Sequence, residues 1–415
     1  MPTDPRRTIR PIPSAPSRRR LLAGTIASFA AQATSRARAA SPSDGVRVLR
    51  AQVAGYDGIV PGPTLQVARG EEVRVRLINE LPEPTALHWH GVRLANGMDG
   101  VPPLTQAPIA PSDSFDYRFV APDAGTYWYH PPRRTPRNHH GLLIVTETEP
   151  VDVDHDHTLI FEDASATAAV DAAPFTVNGA ASFNIRAGQN ERLRLRLLNA
   201  SNDRILELRV EGLRIFVMAT DGEPAQPFAA RDGRVSLGPG NRIDLFVDCT
   251  LAPGASAAIT LEVADAGAAP IARITCETGV RSRPAPRDDP RPLPPNRLPE
   301  RMDFAGAFHL DAAIGRIGGQ AGGQNGRPLF TVGRGRTVLL GLSNPTSAIA
   351  YMHLHGHSFR LLDSLDDGWK PFWLDSMPIE PQARPRIAFV ADNPGKWLIE
   401  GLTADDGPGA WFEVT

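Results

Sequence analysis

The chain is 415 residues long, with 44 basic and 46 acidic side chains, 41% hydrophobic residues, 37 glycines and 40 prolines. The hydrophobic share excludes wholesale disorder, and the even charge gives no electrostatic case for nucleic acid as the main partner. Two cysteines, Cys249 and Cys276, exclude thiolate-rich zinc sites, iron–sulfur clusters and disulfide-dense scaffolds, so any metal must be held by the eleven histidines.

Residues 1–39 read as an address. Ser17-Arg18-Arg19-Arg20-Leu21-Leu22 precedes a short, weakly apolar run and then Ala37-Arg38-Ala39. A basic segment, an apolar segment and an A-x-A site describe an export signal, and the paired arginines point to the twin-arginine route. No later stretch has the length of a membrane span. The expected location is therefore the periplasm, with the signal removed.

From there the chain repeats itself. Gly70 leads into Val73-Arg-Val-Arg-Leu-Ile-Asn79, Gly188 into Arg192-Leu-Arg-Leu-Arg-Leu-Leu-Asn199, and Gly335 into Thr337-Val-Leu-Leu-Gly-Leu-Ser-Asn344. Each copy is a turn, a strand of period two and an exit asparagine. Glycine and asparagine stand nine residues apart in the outer copies, and the middle copy carries two extra. A second block, Gly125-Thr-Tyr-Trp-Tyr-His130, recurs as Gly395-Lys-Trp-Leu-Ile-Glu400. The pattern predicts three tandem β-sandwich domains at 45–149, 150–280 and 301–415. Residues 281–300 are Pro-rich and predict an extended, poorly packed linker.

Nine residues beyond Asn79 comes His88-Trp89-His90-Gly91, and nine beyond Asn344 comes His353-Leu354-His355-Gly356-His357. The middle copy has Leu208-Arg209-Val210 there. Residues i and i+2 share one face of a strand, so each His-x-His presents two imidazoles side by side. Two such pairs predict one metal centre between domains one and three.

These motifs, with Pro61-Gly62-Pro63-Thr64, Asp99-Gly100-Val101-Pro102, Thr105-Gln106 and Gly238-Pro-Gly-Asn-Arg242, make the chain resemble the multicopper oxidases over nearly all of 45–415. The resemblance implies an all-β fold of three tandem cupredoxin-like Greek-key sandwiches. It also implies copper, in a type 1 site that takes electrons from substrate and a trinuclear cluster that reduces dioxygen to water.

Carried over residue by residue, the ligand set is incomplete. His88, His90, His130, His353 and His355 match the cluster. Pro132 stands in place of His130's partner, and Glu400 and Leu402 replace the last pair. By the family pattern His88 and His353 hold the type 2 copper, His90 and His130 one type 3 copper, and His355 the other. Glu400 offers a carboxylate there, and His357 is expected behind the ligands. Ala350, Gly401, Asp406 and Trp411 fall where the type 1 ligands belong, which implies fewer than four copper ions and no blue centre.

The remaining residues have plainer expectations. His139 and His140 should face solvent, His155 and His157 a strand edge, and Trp128 and Tyr129 the core. Cys249 and Cys276 are either a disulfide or two buried thiols. Two functions stay open. One is an exported copper-binding protein, an oxidoreductase if active, whose partners are copper ions. The other is a copper-free cell-envelope scaffold, in cell division or stress, with an envelope protein as its partner.

Overall fold

The structure is a computed structural model and describes residues 45–132, 139–164, 175–263, 267–279, 282–299, 301–314, 327–362, 370–402 and 410–415. The expected export signal, residues 133–138 and Asp406 lie outside the described residues. Residues 42–415 form one compact unit. Among the described residues the chain is all-β, with two single turns of 3-10 helix as its only helical elements.

Six sheets pair in chain order into three Greek-key sandwiches. The first sandwich is built from Arg47–Gln52 to Gly141–Thr146, the second from His155–Asp163 to Gly267–Cys276, and the third from Phe308–Ala313 to Ala410–Val414. In each, the opening strand runs parallel to the strand that ends at or beside the exit asparagine. Each also has its own apolar core, gathered around Trp89 and Tyr117, around Phe161 and Leu195, and around Phe389 and Trp397. Fully burying a large apolar side chain stabilises by roughly 1.5–3 kcal/mol.

The three exit asparagines perform one task. Buried Asn79 donates through Nδ2 to the carbonyls of Glu83 and Ile109, both at 2.9 Å. Asn199 donates to Arg204 and Leu237, and Asn344 to Ala348 and Ile379. In each case Oδ1 accepts the amide of the residue two further on. One side chain thus pins the corner where the chain leaves one sheet for the other, satisfying backbone groups that water cannot reach.

The spacing irregularity of the middle copy disappears in the structure. Gly70 and Gly335 take φ +85° and +84°, and their amides donate to Ala121 and Ala391. The residue that does this in the middle copy is Asn190, at φ +64° and bonded to Cys249, rather than Gly188. Asparagine tolerates the left-handed region. From Asn190 to Asn199 is again nine residues, so there is no insertion between the turn and the corner.

The expectation of a poorly packed linker needs correction, and the middle repeat's strand shows why. Strand Arg192–Asn199 is buried along its whole length, arginines included. Arg192 pairs with Asp248, Arg194 with Asp244 and Glu147, and Arg196 with Asp156 and the Thr126 hydroxyl. This outer face is covered by the first sandwich and the linker, and each guanidinium is paired, as burial requires. The linker is extended but well packed. Arg192 donates to the Asp288 carbonyl, Arg214 pairs with Asp289, Asn296 exchanges two hydrogen bonds with Ala124, and Leu293 is buried.

Candidate metal centre

Strand His88–His90 lies beside Gly125–His130, which places His130 opposite His88 and Trp128 opposite His90. In the third sandwich Ala350–Leu354 lies beside Gly395–Glu400, which places Glu400 opposite His353. The two strand pairs face each other. His88 Nε2 and His353 Nε2 are 3.3 Å apart, and the His90 ring stacks on His353 at 3.6 Å between centroids. All five histidines are buried. The sequence-predicted residues His88, His90, His130, His353 and His355 are therefore together, with Glu400 at their edge.

The hydrogen bonds behind each ring settle its tautomer. His88 Nδ1–H donates to the Asp99 carbonyl (2.9 Å) and His353 Nδ1–H to the Asp375 carbonyl (3.0 Å). Neutral rings held this way turn two Nε2 lone pairs toward one another. His130 Nδ1–H donates to the Pro131 carbonyl (2.7 Å), and His90 Nε2–H donates to Ser376 Oγ (2.9 Å). Their other nitrogens, His90 Nδ1 and His130 Nε2, then face each other at 3.2 Å. His355 Nδ1–H donates to Asp99 Oδ2 (3.0 Å), and Nε2 faces Glu400 Oε1 at 3.4 Å. That buried Nε2 has no hydrogen bond among the described residues. Two edges thus each set one acceptor nitrogen against another, an arrangement that a cation satisfies, and at the third His355 Nε2 faces a carboxylate.

Charge around the cage reinforces this. Burial works against a proton on His353 and holds it down at about 4; burial and neighbouring His353 also depress His90. His355 behaves oppositely. Burial is outweighed by Asp99 and Glu400 on either side, which push it up to about 10, so a proton fills that edge in the metal-free chain. Glu400, in turn, is held well below the usual carboxylate range by His355 despite its desolvation. Two donor triads, His88–His90–His353 and His88–Asp99–His355, have ligand atoms within 4.8 Å of one another. Imidazole nitrogens backed by carbonyls and carboxylates are suited to copper, so the residues present fit a histidine-bound copper cluster.

The middle sandwich braces the cage. Arg242 donates from both Nη atoms to Asp375 and also to the carbonyls of Gly240 and Asp221. Asp221 accepts the amides of Arg242, Asp375 and Ser376. Sequence reasoning quoted Arg242 and Asp99 within motifs without a role, and it missed Asp221, Asp375 and Ser376. An Asp-Ser pair without metal-ligand spacing gives no signal of its own.

Other residues lie elsewhere. His357 is buried beneath the cage, with Nδ1–H donating to the His355 carbonyl and Nε2 accepting the Asn393 amide. His139 and His140 are buried rather than solvent-facing. His139 donates to the Gln52 carbonyl (2.6 Å), and His140 sits 3.0 Å from Glu162, because this segment closes over the first sandwich against the second. Trp128 is buried as expected, yet it also walls the site, its ring 4.1 Å from that of His130. Tyr129 is buried and its hydroxyl donates to the Pro63 carbonyl. Cys249 and Cys276 are buried free thiols, and burial with the neighbouring Cys276 pushes the Cys249 thiol up to about 12. Gly401 takes φ +85°, and a Cβ there would lie 1.8 Å from the Tyr351 carbonyl oxygen, so no side chain fits.

A buried imidazole cage, a candidate metal centre, lies between the first and third of three cupredoxin-like β-sandwiches. The chain belongs to the multicopper oxidase family, whose profiles match residues 38–150, 121–255 and 294–401. It is 28% identical over 417 residues to multicopper oxidase MmcO of Mycobacterium tuberculosis, covering 83% of this chain and 79% of that protein. It is 26% identical over 250 residues to copper resistance protein A of Escherichia coli, covering 45% and 41%. A multi-copper oxidase structure from Pseudomonas thermotolerans matches with a TM-score of 0.76 at 31% identity, covering 87% of this chain and 93% of that one.

Proposed function

We propose that this chain is an exported, periplasmic copper-binding member of the family, divided into domains at 45–149, 150–280 and 301–415, with a leader at 1–39. It holds copper in the cage between domains one and three and has no type 1 centre. The observation that carries this is the set of facing nitrogens, His88 against His353 and His90 against His130, each with its rear nitrogen already engaged. Copper bound there supplies electron-accepting and dioxygen-binding chemistry. The chain's own residues orient the imidazoles through Asp99, Asp375 and Ser376, exclude bulk water beneath Trp128, and keep neutral rings available for metal. Without a thiolate at Gly401 there is no efficient entry for electrons from substrate. The role is therefore copper handling, or slow oxidoreductase chemistry, with fewer than four ions.

The closed backbone at Gly401 favours a second reading, a copper-free envelope scaffold that kept the fold. One experiment separates the two. The purified, metal-stripped chain is loaded with Cu(II), desalted and measured by elemental analysis and paramagnetic resonance. Stoichiometric copper without strong blue absorption, lost in the His88→Ala/His353→Ala variant, supports copper binding. A wild-type chain that retains no copper leaves the scaffold.

A further inference from the structure

The two halves of the cage are built on the same register, and one place in it holds a carboxylate. His88 pairs with His130 across the first sheet as His353 pairs with Glu400 across the other. In the first half, the next histidine along, His90, turns a nitrogen to His130 at 3.2 Å. In the second half, the next histidine along, His355, turns Nε2 to Glu400 at 3.4 Å. Glu400 thus occupies, by register and by distance, the position that His130 occupies in its own half.

We propose that Glu400 is a metal ligand, closing with His355 on one divalent cation in a mixed nitrogen–oxygen site distinct in chemistry from the all-imidazole edge at His90 and His130. His355 is oriented for this, since Asp99 Oδ2 accepts from its Nδ1–H and so aims the buried Nε2 at the carboxylate. The Glu400 side chain keeps 26% of its surface exposed, which gives this edge contact with solvent that fully buried His355 lacks. A carboxylate is a harder ligand than imidazole, so this edge holds an oxidised, divalent ion better than a cuprous one.

The inference rests on the copper-binding reading above, and the experiment separates them. Metal-stripped wild type, Glu400→Gln, Glu400→His and His88→Ala/His353→Ala are titrated with Cu(II) against a competing chelator. Bound ions per chain are counted after desalting, with circular dichroism as the check on folding. Glu400→Gln keeps the shape of the side chain and should bind one ion fewer, or bind its last ion at least about tenfold more weakly. Glu400→His should restore it, and its last ion should survive reduction to Cu(I) better than that of wild type. Full count and unchanged affinity in Glu400→Gln, with copper lost from the double histidine variant, would overturn this proposal alone. No copper on the wild type would overturn both.

Discussion

Glu223 stands where the first sandwich, the second and the linker meet, two residues beyond the Asp221 that braces the cage. It is 2% exposed, and Asn296 Nδ2 donates to its Oε2 at 2.7 Å. Asp123 lies close by, paired with Arg93, which also reaches Asp392, and the buried Tyr127 faces the same space. Desolvation and the negative charge of Asp123 push the Glu223 carboxyl from 4.5 up to about 8. Between those values the folded chain keeps a proton that the unfolded chain has released. Stability contributed by this group is therefore full below the lower value and falls as pH rises through the upper one. At about 1.4 kcal/mol per pH unit, the loss across the window is roughly 3–5 kcal/mol. Glu223→Gln keeps an oxygen for Asn296 and has no proton to lose. Guanidinium unfolding of the metal-stripped chain, followed by tryptophan fluorescence from pH 5 to 9, should show the variant's profile flatter by that amount. The variant should also be the more stable of the two at the alkaline end. Parallel profiles would refute the argument that Glu223 is protonated in the native junction.

Four other outcomes are expected. Gly401→Cys should not create a blue centre, and it should destabilise the chain by at least about 2 kcal/mol, because a left-handed backbone and the Tyr351 carbonyl both oppose a Cβ; visible absorption of the copper-loaded variant and its unfolding midpoint check this. Arg242→Met leaves Asp375 buried without its cation, and unfolding measurements should show a loss of about 3–5 kcal/mol, together with weaker copper retention. Asn199→Ala removes a buried corner amide and should cost about 2–4 kcal/mol in denaturant while copper per chain stays the same. Cys249→Ala should behave as a small core deletion, costing about 1 kcal/mol in the unfolding midpoint with the copper count unchanged.

Much of this protein is local, and local features are legible in a sequence. Alternation along Glu72–Asn79, the asparagine that closes each corner and the His-x-His pairs report which residues share a face, because strand geometry imposes a period of two. They were enough to bring His88, His90, His353 and His355 together and to show that the middle repeat contributes no imidazole at the equivalent place. What lies against a face is not local. The buried arginines of Arg192–Asn199 look like a solvent face until the first sandwich and the linker cover them. Asn190 replaces a glycine because it is the backbone dihedral that the turn requires, and two residue types can adopt it. His139 and His140 are buried by a packing of one sandwich on the next that no spacing announces. Asp375 and Ser376 reach the cage because Ser376–Ile379 pairs with the strand of His353, and Arg242 and Asp221 from the middle sandwich tie them into one network. Strands, repeat and donor atoms are all written in local spacing. Packing sets which charges are buried, which nitrogens face one another, and that Gly401 has no room for a side chain, because each depends on surfaces brought together from distant parts of the chain.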